Sequence, residues 1–320
     1  MNKLDVLYTV DHNYSRYMLV SLLSLLESNN DKSITVHIVC DGFTIADYQN
    51  VLNIIDKYEK ANVHFHHFSD IKKLIKEYNI PDWRGSSISN ARLFFNQIVK
   101  DTDNLLYLDS DTIVVDKLDK LGMYNGPICM VEDTMTRDHI DELNCSIVHY
   151  FNSGVIWIDV NEWNKQNFDQ LLIDTLDSKI PYEFPDQDLI NLAYKGKIHP
   201  LHPKYNLFST EAYFNQTDLK QYYKINNIER YNPTLIQEAK DKPAILHCTP
   251  LYQYRPWDNT RGIHPYEKIY NKYSSMIFGT PIVNSDIKVP NKHIYRIMTS
   301  AKLYTPKPIK DGIKSLITKK

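Results

Sequence analysis

Two carboxylates interrupt an apolar segment in the first third of the chain, "LLYLDSDTIVV" over residues 105–115. Side chains two residues apart in an extended strand point to the same side, so Asp109 and Asp111 would project together from a strand end. Their charges repel unless a cation lies between them, and carboxylate oxygens suit Mg²⁺ or Mn²⁺, which would in turn bind a diphosphate. The alternative is that both aspartates only shape a turn or cap a helix.

Other polar side chains stand where predicted elements begin or end. "TVDHNY" (9–14) places Asp11 and Asn13 at the carboxyl end of the first predicted strand, which is where open α/β sheets bind ligands. "PDQDLIN" (185–191) opens a predicted helix with more polar groups than capping requires. These polar groups are Asp186, Gln187 and Asp188.

"ILHCTPLYQYRPW" (245–257) ends a buried strand on His247 and then presents Arg255 beside aromatic residues. A single histidine is more often structural, but one that joins two aspartates favours manganese over magnesium, because imidazole is a softer ligand. None of the nine glycines forms a G-x-G, which argues against a dinucleotide-binding fingerprint or a Walker loop. The phosphates of a bound nucleotide would therefore need a different source of positive charge.

The elements that position these residues alternate between strands and helices. Strands are predicted over 4–10, 34–40, 62–68, 104–109 and 244–248, and helices over 17–28, 44–60 and 89–100. Short apolar strands separated by amphipathic helices are typical of a mostly parallel sheet sandwiched by helices. We expect one α/β domain over residues 1–280 and a helical basic tail over 281–320.

The composition, 42% hydrophobic and 12% aromatic, is that of a globular protein. No apolar segment has the length of a signal peptide or of a transmembrane helix. The four cysteines form no C-x-x-C pair, so a reducing cytoplasm is expected.

The net charge of −2 is unevenly distributed, because residues 288–320 hold nine Lys or Arg and one acid, whereas the remainder holds 28 basic and 38 acidic residues. Two segments of this tail would place Ile294 and Ile297, and further along Ile313 and Leu316, on apolar faces opposite lysines. Such a tail suits the anionic inner face of the cell membrane; the alternative is that one segment packs on the body. Nucleic-acid binding is not expected of the acidic body, and the oligomeric state stays open.

Six motifs, in this order, resemble family 8 glycosyltransferases: "TVDHNY", "SISNARL", "LLYLDSD", "YFNSGV", "PDQD" and "LHC…RPW". The resemblance runs from about residue 4 to 270. It implies the GT-A fold, a UDP-sugar donor (UDP-glucose or UDP-galactose), Mn²⁺ or Mg²⁺, and a glycan or glycolipid acceptor in bacterial surface polysaccharide or lipopolysaccharide synthesis. It also implies transfer with retention of anomeric configuration.

The resemblance also assigns roles to individual residues. It implies Asp109, Asp111 and His247 as metal ligands, Asp186 and Gln187 on the reacting face with Asp188 in support, and Asp133 near the acceptor. It implies donor contacts from the remaining motif residues, Thr9, Val10, Asp11, Asn13, Arg92, Asp109, Ser110, Asn152, Ser153 and Arg255. Arg255 departs from the family pattern, which has a glycine and then a lysine there, but arginine can bind a diphosphate in bidentate fashion.

Three alternatives remain from the residues themselves. A metal-dependent phosphohydrolase also uses paired aspartates, but normally after the first strand, where this chain has "VDHN". A nucleotidyltransferase would need a basic glycine-rich loop for its triphosphate. A non-catalytic UDP-sugar-binding scaffold would have no reason to keep the acidic motifs and His247 together.

Overall fold

The computed structural model describes residues 2–135, 137–143, 149–176, 182–223, 232–251, 253–258 and 260–284, and six positions in the C-terminal segment (287, 289, 294, 295, 297 and 304). The strands are β1 (Lys3–Asp11), β2 (Ser33–Asp41), β3 (Ala61–His67), β4 (Asn104–Leu108), β5 (Thr112–Val114), β6 (Ile128–Glu132), β7 (Phe151–Asp159), β8 (His199–Pro200), β9 (Leu207–Phe208) and β10 (Ile245–His247).

The helices lie mainly between these strands. They are α1 (His12–Ser28), α2 (Ile45–Ile55), α3 (Phe68–Glu77), α4 (Phe95–Ile98), α5 (Arg137–Glu142), α6 (Val160–Lys165), α7 (Phe168–Thr175), α8 (Pro185–Ala193), α9 (Ser209–Tyr213), α10 (Gln216–Tyr223), α11 (Pro233–Asp241) and α12 (Glu267–Phe278). Three 3₁₀ helices cover Ile88–Phe94, Asp119–Met123 and Pro203–Tyr205. None of the helices in the described part of the chain is both long and apolar enough to cross a bilayer.

The main sheet has seven strands in the order β3-β2-β1-β4-β7-β6-β8. Parallel pairing joins β3, β2, β1 and β4, and also β6 and β8, whereas β7 runs antiparallel to both of its neighbours. The mostly parallel sheet predicted from the apolar strands is therefore confirmed. A second sheet has the order β5-β10-β9, with β10 antiparallel to β5 and parallel to β9.

Two cores cover the opposite faces of the main sheet. On β4, Leu106 and Leu108 pack into one core, with the leucines of α1, while Leu105 and Tyr107 pack into the other. A strand buried on both faces requires the continuous apolar sequence seen at 105–108. The polar residues that follow Leu108 are consequently forced out of the sheet at its edge.

The helix predicted over 89–100 is wrong in detail, since residues 88–94 form a 3₁₀ helix and only Phe95–Ile98 is α-helical. The Ser89 carbonyl accepts a hydrogen bond of 2.9 Å from Arg92 Nε. An α-helix would use that carbonyl for the amide of residue 93, so the buried arginine side chain competes with regular α-helical bonding.

The predicted tail lies largely outside the described residues. Tyr295 is buried in a small cluster with Phe214, Leu251 and Tyr254, so the body holds the tail at that point. Ile294 and Ile297 are exposed, by 48% and 69%. The second predicted segment, with Ile309, Ile313, Leu316 and Ile317, falls outside the described residues. The predicted boundary at residue 280 stays a prediction.

Candidate active site

The ends of several strands meet at one edge of the main sheet. β1 and β4 are parallel, so Asp11, the last residue of β1, and Asp109, which follows β4, lie at the same end of the two neighbouring strands. Because β7 is antiparallel to β4, it is the beginning of β7, Asn152 to Gly154, that lies beside Asp109; the Asp109 amide donates to the Gly154 carbonyl at 2.8 Å. β6 ends at the same edge, next to Asp133. The topology therefore brings three of the predicted motifs and Asp133 together.

Asp109 and Asp111 lie in a turn that connects β4 of the main sheet to β5 of the small sheet. The Asp109 carbonyl closes this turn by accepting from both the amide and the hydroxyl of Thr112, at 3.2 and 2.9 Å. The expectation of an extended strand at Asp109–Asp111 is thus wrong. The aspartates converge because the chain turns between two sheets, with Ser110 at its apex.

His247 reaches this turn through the small sheet, in which it pairs with Thr112 of β5. His247 Nε2 lies 3.1 Å from Asp111 Oδ1 and 3.9 Å from Asp109 Oδ2. One ligand atom from each of these three residues lies within 4.8 Å of the others. Among the residues that the structure describes, no other group of three His, Cys, Asp or Glu side chains has this geometry.

The surroundings of this triad fit a small divalent cation. Two oxygen donors and one imidazole nitrogen are a donor set that Mn²⁺ accepts. The bare Cα of Gly154 makes room for the ligands, since a Cβ there would lie 2.3 Å from His247 Cε1 and 2.8 Å from Asp109 Oδ2. His247 is 4% exposed, so its ring is held within the fold before any ligand binds.

Arg255 approaches the triad from the loop after β10. Its Nη1 donates to an Asp111 oxygen and, at 2.6 Å, to the Cys248 carbonyl, while its amide donates to Asp258 at 2.7 Å. Burial alone would raise the pKa of the Asp111 carboxyl, but His247 and Arg255 hold that pKa well below its usual range. Asp111 therefore stays ionised at neutral pH.

Arg92, predicted as a donor contact, is buried behind Asp109. Its guanidinium contacts Asp109 Oδ1 at 2.8 Å, Asp186 Oδ2 at 3.3 Å and the Ser153 carbonyl at 2.7 Å. It also stacks over the ring of Tyr107, with Cζ 4.3 Å from the centroid. Burial raises the pKa of Asp109, and the positive charge of Arg92 opposes that rise. In this structure Arg92 positions the carboxylates and Ser153.

A hydrogen-bonded group of five polar residues lies beside this arginine. Gln187 Oε1 accepts from the Ser153 amide at 3.0 Å and from Asn152 Nδ2 at 3.1 Å. Asp133 Oδ2 accepts from Asn152 Nδ2 at 2.9 Å and from Gln187 Nε2 at 3.1 Å. Asp186 Oδ2 accepts from the Ser153 hydroxyl at 2.9 Å. Residues predicted from two motifs, "YFNSGV" and "PDQD", thus form one connected network with Asp133.

Asp188, predicted to support Asp186 and Gln187, does not reach this surface itself. Its side chain is fully buried; one carboxylate oxygen accepts from the Tyr150 hydroxyl and lies 2.8 Å from His139 Nε2. The other accepts from the Phe184 amide at 2.9 Å. These contacts lock the first turn of α8, which carries Asp186 and Gln187, so Asp188 can act only in support.

At the end of β1 the predicted donor contacts divide into two kinds. The Val10 side chain is buried in the core and the Thr9 hydroxyl contacts that of Tyr107 at 3.0 Å, so for Val10 only the backbone can face a ligand. Asp11 caps α1 by accepting from the Tyr14 amide at 3.0 Å, and Asn13 is exposed in the first turn.

Four residues of the site were missed by the sequence reasoning. Tyr107 donates to Asp109 Oδ1 at 2.8 Å, and its position two residues before Asp109 was a usable signal. Tyr14, within "TVDHNY", lies near enough to Arg255 and Asp111 for their charges to act on its pKa, which burial raises. Gly154 could have been read from "FNSG". Asn206, a buried partner of His247 Nδ1 at 2.9 Å, follows no motif.

Several known proteins are similar to this chain in sequence. A lipopolysaccharide 1,2-glucosyltransferase of Escherichia coli is 28% identical over 280 residues, which cover 83% of this chain and 78% of the relative. General stress protein A of Bacillus subtilis (strain 168) is 25% identical over 303 residues, which cover 89% of this chain and 100% of the relative.

The solved structure of galactosyltransferase LgtC in complex with donor and acceptor sugar analogues has a TM-score of 0.65 at 19% identity, covering 88% of this chain and 98% of LgtC. This likeness concerns the fold, and it confirms the predicted GT-A architecture. The sequence profile described as Glycosyl transferase family 8 matches residues 5–261. Because that match covers most of the chain, the protein belongs to glycosyl transferase family 8.

Proposed function

We propose that this protein transfers a hexose, glucose or galactose, from a UDP-sugar to a glycan or glycolipid acceptor in bacterial surface polysaccharide or lipopolysaccharide synthesis. The observation that carries the proposal is the convergence of Asp109, Asp111 and His247 beside Arg255. Relatives and the solved neighbour are named as a glucosyltransferase and a galactosyltransferase, which supports either hexose.

The donor diphosphate needs positive charge, and the chain offers no glycine loop to supply it. Asp109, Asp111 and His247 would hold Mn²⁺ or Mg²⁺, and the bound cation would supply charge for the diphosphate. Arg255 adds a guanidinium that can bind phosphate oxygens in bidentate fashion. Its present contact with Asp111 supports a role for this guanidinium in binding the donor phosphates.

The reaction breaks the bond between the anomeric carbon and the β-phosphate oxygen, which keeps the electron pair. The acceptor oxygen forms its bond on the same face of the sugar, and its proton passes to that phosphate oxygen. Positive charge develops on the sugar, and the oxygens of Gln187 and Asp186 can stabilise it. Gln187 Oε1 already accepts two hydrogen bonds, which favours electrostatic stabilisation over nucleophilic attack.

Asp133 is proposed to contact the acceptor hydroxyl. Its carboxylate lies beside Gln187 and Asn152 at the end of β6, on the same edge of the sheet as the proposed donor site. Substitution by asparagine keeps the size and removes the charge. We expect Asp133→Asn to raise KM for the acceptor while leaving the affinity for UDP unchanged.

Calorimetric titration of UDP, with and without Mn²⁺, tests the proposal directly. We expect micromolar, manganese-dependent binding to the wild type and its loss in Asp111→Asn. The matched control is Asp116→Asn, which changes an aspartate in the loop after β5. Absence of UDP binding to folded wild-type protein under both conditions would refute the proposal.

Proton NMR of the first product formed from UDP-glucose or UDP-galactose tests the stereochemistry. Both donors are α-linked, and retention predicts an α-linked product. A β-linked first product would contradict the same-face reaction. Comparison of the two donors in donor hydrolysis also identifies the hexose.

We further propose that the basic tail associates with the cytoplasmic face of the membrane, close to a lipid-linked acceptor. Exposed Ile294 and Ile297 and the lysines of 288–320 support this proposal. Binding to vesicles that contain anionic lipids should fall in Ile294→Ser/Ile297→Ser and in a chain truncated after residue 297, with donor hydrolysis unchanged. Unchanged vesicle binding in both would refute membrane association.

A further inference from the structure

A continuous series of hydrogen bonds connects His247 to the residues of the proposed sugar site. Asn206 lies between the 3₁₀ helix Pro203–Tyr205 and β9, and its side chain is fully buried. Its Oδ1 is 2.9 Å from His247 Nδ1, and its Nδ2 donates to Asn152 Oδ1 at 2.9 Å. Asn152 Nδ2 then donates to Asp133 and to Gln187.

A backbone amide determines the direction of these hydrogen bonds. The Gly154 amide can only donate, and it donates to Asn152 Oδ1 at 2.9 Å. The atom of Asn206 that faces this oxygen must therefore be its amide nitrogen, which turns Asn206 Oδ1 toward His247. An oxygen can only accept, so His247 Nδ1 carries a proton. Nε2 is then the nitrogen that faces Asp109 and Asp111.

A second backbone amide fixes the other end in the same way. The Ser153 amide donates to Gln187 Oε1 at 3.0 Å, so that atom is the carboxamide oxygen and Gln187 Nε2 must face Asp133. The side-chain amides of Asn206, Asn152 and Gln187 therefore each have a single orientation. If the side-chain amide of Asn206 alone were reversed, its oxygen would face Asn152 Oδ1 and its NH₂ group would face the N–H of His247 Nδ1.

We propose that Asn206 is a positioning residue with two effects. In the neutral ring it keeps the proton of His247 on Nδ1, so that Nε2, which lies 3.1 Å from Asp111 Oδ1, is the nitrogen left to bind a cation. It also ties His247 to Asn152, Gln187 and Asp133. Hydrogen bonds to the distal nitrogen of a ligating histidine orient its ring and tune metal affinity. The first effect stands on the geometry alone, whereas the second rests on the proposed function.

Two substitutions separate these effects. Asn206→Leu has a similar volume and removes both hydrogen bonds. Asn206→Asp retains an acceptor for His247 Nδ1–H but, as a carboxylate, cannot donate to Asn152. Asn29→Leu is the matched control, because Asn29 is also fully buried but lies at the far end of α1, about 25 Å along the helix from Asp11.

The affinity for UDP in the presence of Mg²⁺ or Mn²⁺ is the first measurement. We expect it to fall ~10–100-fold in Asn206→Leu and to stay close to wild type in Asn206→Asp and Asn29→Leu. We expect Asn206→Asp instead to lose the additional affinity that the hexose of the identified donor gives over UDP alone. Equal behaviour of Asn206→Leu and Asn29→Leu would overturn the proposal.

The tautomer is measured separately, by ¹⁵N NMR of histidine-labelled wild-type protein with the ring in its neutral form, with and without Mg²⁺. A protonated Nδ1 and an unprotonated Nε2 at His247 are expected; the opposite tautomer would overturn the proposal even if Asn206→Leu failed to fold. Wild-type protein that shows the expected tautomer but binds neither cation nor UDP would refute the proposed function and the second effect, and would leave only the tautomer assignment intact.

Discussion

Gly154→Ala should damage the proposed cation site without adding or removing a polar group. Gly154 lies in β7 directly behind the triad, and a Cβ there would meet His247 Cε1 at 2.3 Å, Asp109 Oδ2 at 2.8 Å and Asn152 Oδ1 at 3.0 Å. Carbon atoms normally pack at about 3.5–4.0 Å. The imidazole would therefore have to move by more than about 1 Å.

The neighbours cannot yield easily, because each is held from another side. Asn206 holds His247 Nδ1, and Tyr107 and Arg92 hold Asp109 Oδ1 at 2.8 Å each. A displacement of about 1 Å at a positioned site can cost about 10²-fold, and overpacking of a core costs about 1–3 kcal/mol of unfolding free energy. We expect manganese-dependent UDP affinity to fall ~100-fold and the protein to remain folded.

The assay is calorimetric titration of UDP with Mn²⁺, together with urea denaturation. Gly126→Ala is a matched control, because its Cβ would also meet a histidine ring, His199 Cδ2 at 2.5 Å. His199 is exposed and can rotate away, so UDP affinity should stay at the wild-type value. Unchanged affinity in a folded Gly154→Ala protein would refute the argument that close packing at β7 places the ligands.

Three further predictions concern buried polar and ionisable side chains. Arg92→Lys should lower the unfolding free energy by about 2 kcal/mol in urea denaturation, because lysine cannot reproduce the fork of buried, charge-assisted hydrogen bonds; wild-type stability would contradict this. Asp188→Asn should lower the unfolding free energy by about 3 kcal/mol in the same assay, because the buried carboxylate accepts from Tyr150 and pairs with His139. Tyr150→Phe, which removes only one hydrogen bond to that carboxylate, should lower it by about 1–2 kcal/mol. Burial, with neighbouring histidines, lowers the pKa of His37 in the folded protein to about 4. Between about pH 6.5 and 4 the His37 side chain therefore binds a proton in the unfolded chain but not in the folded protein. The free energy of unfolding should fall as the pH decreases from about 6.5 to 4, by about 1–2 kcal/mol after solvent screening. Unfolding midpoints measured across this pH range should show a weaker dependence in His37→Asn than in wild type, and equal dependence would refute the assignment.

The elements of the first half were predictable because the signals are local. Strands such as 4–10 and 104–109 are apolar on both faces since helices cover both sides of the sheet, and that requirement is visible in the sequence itself. The GT-A fold and the family were predicted from six short motifs in order, and both are confirmed. The individual donor and acceptor roles stay predictions.

Local reasoning failed where side chains compete with the backbone. The segment around Arg92 has a helical pattern, but a buried guanidinium that binds the Ser89 carbonyl produced a 3₁₀ helix. Asp109 and Asp111 were expected in an extended strand because the segment is apolar on both sides of them. The chain instead leaves one sheet there and enters another, a change of partner that no local periodicity records.

The sequence by itself determined which residue types were available at the strand ends and the order in which they occur. Only the tertiary structure decided which of them meet. His247 joins Asp111, 136 positions earlier in the chain, because β10 pairs with β5, and Asn206 joins His247 because β9 pairs with β10. The physical reason is that strand pairing satisfies backbone hydrogen-bonding groups whatever the separation of the strands along the chain. A buried asparagine outside every motif can therefore contact a predicted metal ligand, as Asn206 contacts His247.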